Sequence, residues 1–160
     1  MTVSEILLQK LAEWRPAAGR AFLSATDEAS GWSVTVTADE RTSIGCQVWE
    51  LQVQRAKKPE GAVLDLQSWA DQIARRATGL LENLRVVEVD ALRNQAQLRS
   101  DEPAQRGGDV FYYELLLTGT EDALLRRYHA GCDGQARRQQ VAFAITHEAL
   151  AKLVSEITAK

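Results

Sequence analysis

The stretch from Asp65 to Asp90, DLQSWADQIARRATGLLENLRVVEVD, constrains this chain most. Leu66, Trp69, Ala70, Ile73, Ala77, Leu80, Leu81 and Leu84 recur at steps of three and four, which places them on one face of a 3.6-residue helix. Asp71, Arg75, Arg76 and Glu82 fall largely on the other. Asp65 is positioned to cap the first free amides, and Pro59 with Gly61 marks the loop before it. Gly79 costs a helix interior about 1 kcal/mol and would allow close packing against a sheet. Arg85 to Val89 then reads as an apolar strand. A helix with so broad an apolar face must bury it, and a sheet is the natural partner.

The flanking segments supply that sheet. Ser4 opens a short helix through about Trp14, with Leu7, Leu8, Leu11 and Trp14 on one side. Arg20 to Thr26 reads as a first strand. Trp32 to Thr37 alternates cleanly, with Trp32, Val34 and Val36 pointing one way and Ser33, Thr35 and Thr37 the other. One buried and one wet face suggest antiparallel pairing. Gln47 to Gln54 alternates again, with Trp49, Leu51 and Val53 inward and Val48, Glu50 and Gln52 outward. An outward Val48 implies a half-covered edge or a contact surface.

Beyond the central helix, Gln95 to Arg99 is a weaker strand, and Ser100 to Asp109 has the Pro103 and Gly107-Gly108 marks of a surface loop. Val110 to Thr118 is the most apolar strand. Phe111, Tyr113, Leu115 and Leu117 fill one face, and Val110, Tyr112, Glu114 and Leu116 the other. Such a strand is central and covered on both sides, or its second face meets a partner. Ala123 to Ala130 and Arg137 to Phe143 form a hairpin around Gly131 to Gly134. Thr146 caps a last helix whose stripe is Leu150, Leu153, Val154 and Ile157. The fold class expected is therefore α+β, a largely antiparallel twisted sheet in the order α-βββ-α-βββββ-α with helices packed on it. The four tryptophans, Trp14, Trp32, Trp49 and Trp69, all fall in the first half and are expected to meet as core aromatics.

A chain of 160 residues with ordinary apolar content predicts one domain with a single core. The net charge of -3 argues against a dedicated nucleic-acid binder, which carries a basic excess. No run of about 18 apolar residues suggests a membrane span, and the N-terminus lacks the basic segment of a signal peptide. Cys46 and Cys132 stand alone without a CxxC pattern, which fits a reducing cytoplasm. The excess of arginine over lysine reads first as coding bias in a GC-rich, bacterial-type genome.

The sharpest candidate site is Arg126, Arg127, Arg137 and Arg138. With Gly131 to Gly134 as the hairpin tip, Arg127 would lie opposite Arg138 and Tyr128 opposite Arg137. Like charges across strands repel, so acidic neighbours, solvent or a bound anion must compensate. Guanidinium forks suit phosphate and carboxylate. The plainer alternative is a solvated arginine edge that deters sheet-to-sheet pairing. Glu114, among apolar neighbours, is expected to face solvent or to pair with a cross-strand arginine. Tyr112, Leu116, Tyr128 and His129 complete a possible pocket or interface. His129 and His147 lack metal-ligand spacing, and a Cys132–His129 dyad has no third group to orient it. Patterns for nucleotide binding and for serine hydrolases are missing, so no catalytic residue, metal or cofactor is assigned.

The element order resembles that of type III secretion chaperones, small acidic cytoplasmic α+β dimers that hold an extended partner chain. The resemblance lies in order alone, carries over no residues, and five strands after the central helix exceed that family's complement. It implies a cytoplasmic, chaperone-like homodimer with a protein partner. The expected function is a non-enzymatic binding or protein-interaction module. The alternative is a domain that binds an anionic ligand between sheet and helix at the arginine cluster.

Overall fold

The computed structural model describes residues 1–56, 65–131 and 137–159. The loop assigned to Pro59 and Gly61, and most of the Gly131 to Gly134 tip with Cys132, lie outside these residues. Helix α1 (Val3–Glu13) leads into β1 (Ala21–Thr26), β2 (Trp32–Arg41) and β3 (Gly45–Arg55). Helix α2 (Leu66–Arg76) follows, then β4 (Leu84–Asp90), β5 (Gln95–Ser100), β6 (Ala104–Arg106), β7 (Asp109–Thr118) and β8 (Asp122–Gly131). Two short strands, β9 (Gln139–Val141) and β10 (Phe143–Thr146), precede α3 (His147–Thr158). Among the described residues the strands form one antiparallel sheet in the order β1-β2-β3-β8-β7-β5-β4, with β10 beside β3, β6 beside β7 and β9 beside β8. The expected α+β order holds. The surface loop gains the three-residue β6, and the last predicted strand is broken at Ala142 into β9 and β10.

Registers across the sheet show why one face became the core. Ala25, Val34, Val53, Ala123, Leu117 and Ala96 lie in one row, each beside the next. Val36, Leu51, Leu125, Leu115 and Leu98 form the adjoining row. All are buried, and they join Leu7 and Leu11 of α1, Trp69 and Ile73 of α2, and Leu150 and Ile157 of α3 in one cluster. The three helices therefore share one side of the sheet. Each fully buried Val or Leu there contributes about 1.5–3 kcal/mol.

Several local expectations are corrected. Helix α1 is capped by Thr2, not Ser4, in a reciprocal arrangement with Glu5. Leu8 of α1 points toward solvent. Helix α2 stops at Arg76 instead of running to Leu84, where the Ala77 amide donates to Ile73 and the Thr78 amide to Arg76. Leu80 still reaches the core, but Leu81 is 73% exposed. Gly79 does not mediate close packing, since a Cβ there would meet nothing within 4 Å. Trp32 and Trp69 meet at 6.1 Å, whereas Trp49 lies half-exposed under the Arg20 guanidinium, so the four tryptophans form no single cluster.

Strand β3 departs from the expected alternation at a bulge. Ala38 pairs with Val48 and Thr37 with Glu50, leaving Trp49 as an extra residue. This bulge shifts the alternation by one. Val48 is fully buried and Trp49 is turned out of the core, the reverse of the expected arrangement.

Candidate functional site

The sheet face away from the helices carries a different set of rows. Thr26, Ser33, Gln54, Asp122, Thr118 and Gln95 form one. Ser24, Thr35, Gln52, Leu124, Leu116 and Gln97 form the next, so Leu124 and Leu116 sit side by side between two glutamines. A third brings Arg126 beside Glu114 and Glu114 beside Arg99. Tyr112 and Tyr128 pair directly, with ring centroids 5.9 Å apart. No helix covers this face among the described residues.

Its charges are compensated within the chain. Arg126 donates to Glu50 at 2.7 Å. Glu114 accepts from Arg138 at 2.5 Å, from Arg99 at 3.2 Å and from Gln97 at 2.9 Å. Burial pushes the Glu114 carboxyl up, but the Arg138 bond and its charge, Gln97 and Arg99 outweigh it and hold the group below its ordinary value. The expectation that Glu114 pairs with a cross-strand arginine is met by Arg99. The Arg138 guanidinium carbon also sits over Tyr128, 3.9 Å from its ring centroid. Burial lowers the Arg126 pKa, but the nearby Tyr128 hydroxyl and the bond to Glu50 outweigh it and raise the value.

The four candidate arginines do not share one surface. Arg127 pairs with Val141 and Tyr128 with Gln140, three residues away from the expected register. An odd slip moves residues to the opposite face. Arg138 therefore shares the helix-free face with Arg126, while Arg127 faces the helix side and is buried against Glu82 at 2.9 and 3.2 Å. Arg137 is exposed just before β9. A depression of about 570 Å³ does exist near the sheet, but Trp14 to Gly19 and Ala38 to Arg41 line it, away from the arginine hairpin.

His129 accepts or donates at 2.8 Å with Asp109 and stacks on Phe111 at 4.9 Å. His147 is buried at the start of α3. Among the described residues no group of three or more His, Cys, Asp or Glu is arranged to hold a metal ion, and no helix is long and apolar enough to cross a membrane. Sequence reasoning missed Glu50, Glu82, Gln97 and Arg99 as partners of the candidate residues. Their signal was cross-strand adjacency, which exists only once the register is known.

No protein-family model, curated protein or solved structure matches this chain. The expected likeness to type III secretion chaperones gains no support from these comparisons, and it assigns no residue on the helix-free face.

Proposed function

We propose that this chain is a non-enzymatic protein-interaction module that docks a polypeptide on the helix-free face of its sheet. One observation carries the reading: all three helices join a single core on one side, leaving the rows through Leu116, Leu124 and Tyr112 without a described helix over them. A strand as apolar as β7 at the centre of a sheet, with half-buried Leu116 and Tyr112 on the uncovered side, fits a contact surface. The internally paired charges fit docking without a large opposing field, and a second copy of the chain is one partner such a face accommodates. The anionic-ligand reading is the weaker one, because Arg126, Arg127 and Arg138 already hold carboxylates of this chain.

The test is selection of binders from a random peptide library, followed by mapping of amide shifts on the protein. Selected peptides should perturb β7, β8 and β5, and a folded Leu116→Glu variant should lose them. Binders that footprint on the helices, or that Leu116→Glu retains unchanged, would sink the reading.

A further inference from the structure

The Glu114 carboxylate has two kinds of partner. Arg99 and Gln97 come from the adjacent strand β5 and both bind Oε2. Arg138 comes from outside the ladder, one residue before Gln139 begins β9. Its side chain is 40% exposed, while that of Glu114 is 12% exposed. Arg138 straddles the carboxylate, with Nη1 on Oε2 at 2.5 Å and Nη2 on Oε1 at 3.4 Å. Its guanidinium carbon lies over the Tyr128 ring, 3.9 Å from the centroid, and that ring neighbours Tyr112 at 5.9 Å.

A carboxylate fork beside an aromatic ring is the combination that selects a guanidinium over an ammonium. We propose that Glu114, Tyr112 and Tyr128 form an arginine-binding site, occupied in cis by Arg138 and taken over by an arginine side chain of a docked polypeptide. This rests on the docking role of the helix-free face and names the residue that role recognises.

Exchange is physically accessible for two reasons. Residues 137 and 138 lie outside the β8–β9 ladder, so releasing Arg138 breaks no ladder bond there. Glu114 keeps Arg99 and Gln97 when Arg138 leaves, so the buried carboxylate is never stranded. Displacement is also required. Arg99, Arg126 and Arg138 already face Glu50 and Glu114, and a further arginine added to them would meet uncompensated repulsion. The tethered Arg138 competes at a high effective concentration, which weakens any free ligand in the wild-type protein.

The probe is N-acetyl-arginine methylamide, titrated with its lysine counterpart as control and followed by NMR shifts at Tyr112, Tyr128 and Glu114. Arg138→Ala should bind the arginine amide roughly tenfold or more tightly than wild type does, because the competitor is gone. It should prefer arginine to lysine, and Glu114→Gln added to it should abolish binding. Arg138→Gln, which keeps the side-chain stem, serves should the alanine variant lose its fold. A vacated site that binds no arginine amide, or that takes lysine equally well, overturns the proposal. Library peptides that footprint on this face while the amide fails would remove the arginine site and leave the docking role standing. Amide binding without any peptide footprint would remove the docking role instead.

Discussion

Arg127 and Glu82 form a two-toothed ion pair on the helix side of the sheet, with side chains only 7% and 8% exposed. The same Glu82 accepts from Ser100, whose hydroxyl oxygen in turn accepts the Tyr113 amide. The guanidinium lies 4.2 Å from the Tyr113 ring centroid. The pair thereby ties the connection after α2 to the centre of β7 and β8.

Removing one member of this pair leaves a buried charge without its partner. Arg127→Met should cost about 3–5 kcal/mol in urea unfolding. Replacing both, as Arg127→Met with Glu82→Leu, should cost less than the two single changes summed. Additive losses would show that the two groups do not act as a unit.

Two glycines should respond oppositely to alanine. A Cβ at Gly45 would meet the Ile145 carbonyl oxygen at 2.6 Å, where β3 runs beside β10. Backbone cannot move aside as a side-chain tip can, so Gly45→Ala should destabilise by about 1–3 kcal/mol. Gly79 has open space and lies outside α2, so Gly79→Ala should change stability by no more than about 0.5 kcal/mol. Thermal melts of the two variants side by side check this. Equal losses would contradict the close approach of β10.

His147 should give stability a pH dependence. Burial first, then the Arg41 charge, lowers its pKa, opposed by a bond to the Gly45 backbone. Its Nε2 is buried without a hydrogen-bond partner. A folded-state pKa below the unfolded value means that the unfolded chain takes up the proton first as pH falls. This contribution is complete above the unfolded value of about 6.5 and is lost as pH drops through the folded one. Urea midpoints at pH 7.5 and 5.5 should therefore differ more in wild type than in His147→Gln. An unchanged difference would mean that His147 is not the group responsible.

Much of this arrangement was legible in the residues. The alternation of Trp32, Val34 and Val36 and the stripe of α3 each follow a period that only one element satisfies, whereas the unbroken apolar run of β7 reads as a strand from its β-branched and aromatic content and its flanking turns. Periodicity failed where the pattern outran the element. Leu80 and Leu84 keep helical spacing with α2, yet Leu84 is core-facing from β4 and the chain between is not helix. Both arrangements bury Leu80 and Leu84, so the spacing of those two does not separate them.

Sequence by itself determined the element types, their order and the apolar side of most strands, because those follow from short-range spacing and the preferences of individual residues. Only the tertiary structure decided which side chains meet. The bulge at Trp49 and the three-residue difference in the β8–β9 register each depend on which strand lies beside which. An odd shift sends a side chain through to the other face of the sheet. That is why Arg127 ended in the core with Glu82 while Arg138, eleven residues later, crossed the helix-free face to Glu114.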